Sequence, residues 1–441
     1  MKKIPGHYSH LALWVLLMVL LAACGNKNST LTSSSNPGNG YYHSVAFRNY
    51  TTFTWGANSY GQLGNGDNTG VSQLSPIHVL PIQVSLTRVA GISAGGTHTL
   101  AFTSGGNVWS WGNNGFGQLG NNSTTASSTP VQISSLGTTT TAVSAGWAYS
   151  LALQSDGTVW AWGDNEFGQL GNTTGPVPVT PSLIPVQVLN PLGSNLTLVT
   201  KIAAGGGHSL ALAGLEGNKP VYAWGYNSNG QLGQQSNPRF GNLSTSSNSN
   251  SAVEVTKADG TILSNVTDIA AGGSHSLFIV NDGVNPATVW ACGSNFYGQL
   301  GVGVSGDTKD RNRGVVQVVA LTGIFSQVAA GSAHSLALRQ SDGTVWAWGY
   351  NVFGQLGNGA ALGSSSPVNT PFQVKMSNGS FLTGVTKIVA IGNHSLAVDI
   401  NGQLWAWGEN TFGELGLGDT TNRNLATQVP RFSSRADLYH P

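Results

Sequence analysis

The chain predicts an all-β ring of seven four-stranded antiparallel blades, and three observations carry that prediction. The first is a decapeptide, Trp-Gly-x-Asn-x-x-Gly-Gln-Leu-Gly, whose seven copies begin at Trp55, Trp111, Trp162, Trp224, Cys292, Trp348 and Trp407. Only the fifth starts with a residue other than Trp, and only the seventh replaces Gln, with Glu414. Repetition at this spacing means units too small to fold alone that stack on one another. The second is that each unit holds four short apolar runs that alternate like strands. The third is that the runs are separated by turn signals such as Asp156-Gly157 and Asp342-Gly343, which join adjacent strands as hairpins.

The N-terminus reads as an address. Lys2 and Lys3 precede an apolar run from Leu11 to Leu21. It falls short of the ~20 residues a membrane-spanning helix needs and fits the core of an export signal. It leads into Leu21-Ala22-Ala23-Cys24, which resembles the lipobox of bacterial lipoproteins. The resemblance implies cleavage before Cys24 and a lipid on its thiol. Residues 1–23 are therefore expected to be a signal peptide. Residues 24–40, rich in Ser, Asn and Gly, are expected to form a flexible tether reaching roughly 20–25 Å. Gly25, not Asp, follows the cysteine; by the same resemblance the anchor is expected in the outer membrane of a two-membrane host. With Cys24 lipidated, Cys292 has no partner, so no disulfide framework is expected.

Next come the blades, expected over residues 41–430, with 431–441 as a tail. The first run is of the Pro-x-Gln-Val kind: Pro81–Val84, Pro130–Ile133, Pro185–Val188, Ala252–Val255, Val315–Val318, Pro371–Val374 and Ala426–Val429. The second, third and fourth runs are exemplified by Ile202–Gly205, His208–Leu212 and Val159–Gly163. Residues two apart share a strand face. His208, Leu210 and Leu212 therefore point one way, Ser209 and Ala211 the other, so that a bulky face can nest against a small one. The chain enters at Tyr41 to Phe47 in a third run and leaves on a first run. This predicts closure by pairing of the N- and C-terminal segments, Arg423–Val429 joining the blade that contains His43 to Trp55 and protecting its edge.

These motifs resemble the regulator of chromosome condensation repeat family, over roughly Gly40 to Pro430. The sequence leaves its own pattern at Tyr149 (for His), Cys292 (for Trp) and Ile391 (for Gly). The resemblance implies a seven-bladed propeller. It also implies a choice of activities: nucleotide exchange on a small GTPase with chromatin contact, which export argues against, or inhibition of extracellular enzymes, as in secreted β-lactamase-inhibiting propellers of this repeat type.

Composition narrows the function further. The formal charge is +1, and loss of a leader carrying Lys2 and Lys3 would bring it to −1. No Lys/Arg cluster supplies the basic face a nucleic-acid binder needs. Six of ten histidines, His43, His98, His208, His275, His334 and His394, share one repeat position. Equivalent copies on a packed face predict a structural role with bonds to backbone, not a catalytic or metal centre. No cofactor or metal is expected.

Binding is expected where the repeat varies on a fixed frame. The residue after Trp-Gly changes from copy to copy, as Ala57, Asn113, Asp164, Tyr226, Ser294, Tyr350 and Glu409, beside an Asn that holds the turn. Trp147, unique at its position, is a further candidate. The aromatics Tyr60, Phe116, Phe167, Tyr297, Phe353 and Phe412 are expected either to pack or to grip a partner. The expected function is a lipid-anchored, monomeric, non-enzymatic envelope module for a protein or glycan. The rival is a hydrolase or lyase with carboxylates at the central channel, for which Asp164, Glu166, Glu409 and Glu414 are the acidic candidates in the motif.

Overall fold

The computed structural model describes residues 19–21, 42–48, 51–79, 86, 88–174, 180–214, 219–234, 247–281, 283, 287–306, 314–364 and 366–430. They form seven sheets of four antiparallel strands, each in simple sequential order. Blade 4 shows the plan: Val199–Ala204, His208–Ala213, Val221–Gly225 and Ser249–Glu254. The first strands of successive blades approach one another around the axis, and the fourth lie outermost. The turn after the first strand and the connection after the third leave at one end of the ring, here called upper. The remaining connections leave at the lower end.

Closure differs from the sequence expectation. Arg423–Gln428 pairs with Leu404–Gly408 and completes its own blade; it does not join the blade of His43 to Trp55. The connection 409–422 is short enough to fold the last strand straight back as a hairpin. Blade 1 takes its outer strand from Gln73–His78, while Pro81–Val84 lies outside the described residues. The strand signal was Pro76-Ile77-His78-Val79, which the similar tetrapeptide five residues later disguised. Blade 1 lacked an inner strand, not an outer one. Val19–Leu21, from the run read as an export signal, fills that place antiparallel to His43–Arg48.

The ring is held by a seam repeated between blades. The Nε2–H of His208 donates to Ser276 Oγ of the next blade at 2.9 Å. That hydroxyl donates in turn to the carbonyl of Gln231 at 2.8 Å. The same step joins His43 to Thr99, His98 to Ser150, His275 to Ser335, His334 to Ser395 and His394 to Ser44, at 2.8–3.0 Å. Tyr149 takes the remaining place, its hydroxyl donating to the carbonyl of His208 at 2.5 Å and lying 3.0 Å from Ser209 Oγ. Because each hydroxyl spends its proton on a carbonyl, the imidazole must be the donor, which assigns the Nε2–H tautomer. The histidines are thus structural as expected, but their partner is a neighbour's hydroxyl and not backbone. Burial holds each of them neutral, with its pKa lowered to about 3.

The carbonyls in this seam belong to the repeated Gln of the decapeptide and accept a second bond from the next blade's Trp. Trp111 Nε1 donates to Gln62, Trp162 to Gln118, Trp224 to Gln169, Trp348 to Gln299 and Trp407 to Gln355, at 2.8–2.9 Å. All six motif tryptophans are fully buried, each contributing roughly 1.5–3 kcal/mol from burial. At the junction of blades 7 and 1, Trp55 Nε1 and Ser44 Oγ both donate to the Glu414 carbonyl, at 2.7 and 2.9 Å. Gly416 sits there with φ +70°, where a Cβ would lie 3.0 Å from Trp55 Nε1; glycine is required by both conformation and space. In the fifth copy Cys292 Sγ stands where an indole would, 3.4 Å from the Gln231 carbonyl. It is buried, and burial pushes its thiol up to about 12, so it packs and does not react.

Candidate functional site: the upper face

The decapeptide builds the upper end. Its Asn folds the turn: Oδ1 accepts the backbone N–H of the motif Leu five residues on, from Asn58 with Leu63 to Asn410 with Leu415, at 2.9–3.1 Å. The variable residue before it is fixed through its own backbone. The N–H groups of Ala57, Asn113, Asp164, Tyr226, Ser294, Tyr350 and Glu409 each donate to the turn after their blade's first strand, at 2.5–3.0 Å. The seven sequence candidates therefore do form one ring around the channel mouth.

They do not all face solvent. Ala57, Asp164 and Glu409 are buried, whereas Asn113, Tyr226, Ser294 and Tyr350 are half-buried. Trp147 is half-buried and packs against a core cluster at the upper turn of blade 3. Cys24 lies outside the described residues.

Aromatic rings tie this ring to its rim. Phe167 of blade 3 meets Tyr226 of blade 4 at a centroid distance of 4.7 Å. In the equivalent place Tyr297 of blade 5 meets Tyr350 of blade 6 at 4.5 Å. Phe412 of blade 7 meets Tyr42 of blade 1 at 4.5 Å. Phe296 extends the second pair on one side and Phe353 on the other, at 4.8 and 6.2 Å. Tyr60, Phe116 and Phe296 are about half exposed. The motif aromatics therefore both pack and present surface. Sequence reasoning missed Tyr42 and Phe296. The signal for Phe296 was available: the other six copies place Ser59, Gly115, Glu166, Ser228, Val352 and Thr411 at that turn position, none of them aromatic.

The acidic residues are built into individual blades. Asp164 Oδ2 accepts from Gln169 Nε2 at 2.9 Å. Glu409 accepts from Asn393 Nδ2 at 3.0 Å and from Thr411 Oγ1 at 3.3 Å. Burial raises the pKa of both. Glu414 holds the Phe412 N–H on Oε2 at 2.7 Å, as Gln does elsewhere, while its buried Oε1 has no hydrogen-bond partner among the described residues. Burial, with Glu409 nearby, pushes it up to about 8. Asp164 and Glu166 sit on blade 3 and Glu409 and Glu414 on blade 7, each pair within its own turn.

Inside the channel, first-strand residues stitch neighbours together. Lys201 pairs with Asp268, and Asp268 Oδ2 accepts the Val328 N–H at 2.8 Å. Gln327 bonds both backbone groups of Ile388, at 2.9 and 3.1 Å. A cavity of about 120 Å³ lies among these residues, with Ser326, Thr386 and Lys387 completing its lining.

Comparison with known proteins agrees with this architecture. The RCC1-like domain profile matches residues 51–438. The chain belongs to the RCC1-like domain family. Among curated relatives, the ultraviolet-B receptor UVR8 of Arabidopsis thaliana is 31% identical over 399 residues, covering 89% of this chain and 81% of that protein. The human E3 ubiquitin-protein ligase HERC2 is also 31% identical, over 86% of this chain but only 7% of its own length. Among solved structures, Prp20p of Saccharomyces cerevisiae superposes with a TM-score of 0.67 at 26% identity, covering 86% of this chain and 85% of that one. That structure was described together with its binding to Gsp1p and histones. RCC1-like propellers are a protein-interaction family, and this chain shares their seven-bladed frame.

Proposed function

We propose that this protein is a non-catalytic binding module, anchored to the cell envelope by a lipid on Cys24, that receives a partner protein on its upper face. The observation that carries the reading is the half-exposed aromatic rim formed by Tyr60, Phe116 and Phe296 on turns locked by the Asn bonds. Rigid aromatic anchors at one end of a preformed scaffold suit protein recognition. Relatives support it, since a Prp20 structure carries Kap60 as a bound partner. Asp164 and Glu409 satisfy local bonds, and the two acid pairs of the motif stand on different blades, which supports binding over hydrolysis. The lower end also exposes apolar side chains, including Leu192 and Ile400, but with a single half-exposed aromatic, Phe381, against three at the upper end. The leader and the Leu-Ala-Ala-Cys24 box support anchoring, with the outer membrane expected in a two-membrane host; cleavage before Cys24 would remove Val19–Leu21 and leave blade 1 of the anchored form with three strands.

Photo-crosslinking in intact cells tests the reading. A crosslinker at Phe116 or Phe296 is expected to trap a protein that one at Leu192 or Ile400 does not. Equal trapping at both ends would refute the assignment of the face. Cys24→Ser is expected to move the protein from the membrane to the soluble fraction; retention in the membrane would refute the anchor.

A further inference from the structure

Resting on the anchoring read from the leader, we infer that removal of the leader opens a strand slot in blade 1 and that residues 29–33 of the same chain dock there, which brings the lipid to the lower end of the ring and turns the upper face away from the membrane. The slot is defined by the strand that fills it. Leu21 lies opposite Ala46, the place that Ile202 takes opposite Ala211 and Ile388 opposite Ala397 in their own blades. Every other blade sets a buried Ile or Val there: Ile92, Val143, Ile202, Ile269, Val328 and Ile388. Cleavage before Cys24 removes residues 19–21, so the inward edge of His43–Arg48 loses its ladder. That edge stands beside the first strand of blade 7, whose Val389 and Ile391 share a core cluster with Val45 and Phe47. An open edge next to apolar side chains takes up an extended segment.

Chain length and pattern select the occupant. Residues 24–41 lead directly into the slot's own blade, which holds them near it at a roughly millimolar effective concentration; a strand of another molecule must compete with that. At the spacing of the other blades the inner strand would fall on Ser34-Ser35-Asn36-Pro37-Gly38-Asn39, where Pro37 takes the apolar place and has no N–H for the ladder. Ser29-Thr30-Leu31-Thr32-Ser33 fits instead. Leu31 is the one branched aliphatic residue between Cys24 and His43. Setting it opposite Ala46 puts Ser29 where blade 6 has Ser326, and Thr32 and Ser33 where blade 3 has Ser144 and Ala145. Asn36-Pro37-Gly38 then supplies the upper turn. Docked and undocked forms put the lipid at opposite ends. Undocked, the tether meets the ring ahead of His43, at the upper end and beside the aromatic rim. Docked, residues 24–28 leave at the lower end and span at most about 17 Å.

The test uses the processed lipoprotein extracted from membranes, with loss of residues 1–23 checked by mass. Leu31→Cys with Ala46→Cys is expected to form a disulfide at least about fivefold faster than Ser35→Cys with Ala46→Cys, because closure needs Cα atoms within about 7 Å and Ser35 would lie roughly 13 Å further along. The native Cys292 is buried and silent in both. In vesicles carrying a quencher on the lipid headgroups, a fluorophore on Leu192→Cys, exposed at the lower end, is expected to be quenched more than one on Thr124→Cys, exposed at the upper end. Equal disulfide rates, or stronger quenching at Thr124→Cys, overturn the inference and leave the anchor standing if Cys24→Ser still releases the protein. A retained leader, or membrane binding that survives Cys24→Ser, takes down the anchor and the inference together.

Discussion

The interior seams and the upper face are built from the same decapeptide and behave oppositely. At the seams, His, Ser or Thr, Gln and Trp repeat around the ring with bond lengths that differ by a few tenths of an ångström. At the face, the residue one step from the same Trp-Gly is buried alanine in blade 1 and half-buried tyrosine in blade 6. The difference teaches where a repeat protein is free to change. A side chain shared between two blades is constrained by both, while one at the channel mouth answers to its own turn and to whatever binds.

The strongest way to break the uniformity of the seams is acid. The six histidines are held neutral with pKa lowered to about 3, against 6.5 when unfolded. Below pH 6.5 the unfolded chain binds more protons, so stability is lost as pH falls from 6.5 towards 3. Urea unfolding is expected to show a steep drop over that window, and a flat profile would refute the ring. A single seam is cut by Trp348→Ala, which removes a fully buried ring and its bond to Gln299. It is expected to cost about 3–5 kcal/mol in chemical denaturation.

The seam between blades 7 and 1 is the one with an acid in it, and Glu414 reverses the sign. Its folded pKa is raised to about 8 from 4.5, so its contribution is lost as pH rises through that interval. Glu414→Gln restores the residue of the other copies. It is expected to add a few kcal/mol at pH 9 and almost nothing at pH 4; equal gains at both would show that the carboxyl is not what weakens this seam. Smaller still, Cys292→Ala is expected to cost about 1–2 kcal/mol, and the native thiol to resist a disulfide reagent until the chain is denatured. Smallest on stability is Tyr350→Ala, under about 1 kcal/mol, which would sharpen the contrast by altering the face and sparing the frame.

Much of this was legible in sequence because the frame is periodic. Seven copies of Trp-Gly-x-Asn fixed the blade count, and alternation in His208–Leu212 placed the histidines between sheets. The outer edge of blade 1 was misread because Pro76–Val79 and Pro81–Val84 carry nearly the same letters, and pairing register is settled by hairpin length. The residues from Ala57 to Glu409 take equivalent places at one end of the blades, but spacing cannot tell a turn residue that folds inward, as Asp164 does, from one half-open to solvent, as Tyr350 is. The stitching of Lys201 to Asp268 was invisible for a related reason: it joins equivalent positions of two blades, 67 residues apart, and the repeat itself gives no hint of which unlike pair will meet.

The covalent break in the circle falls between blades 7 and 1, not inside a sheet, since Arg423–Gln428 completes its own blade. The molecule is therefore a split washer and not a buckled belt. Six junctions are tethered by the chain that runs through them, and the seventh rests on non-covalent contacts, among them the Trp55 and Ser44 bonds to the Glu414 carbonyl and a Gly418 N–H bond to the Leu74 carbonyl at 2.8 Å. Under load it is this gap that spreads first, while the strand pairings within the sheets on either side are kept.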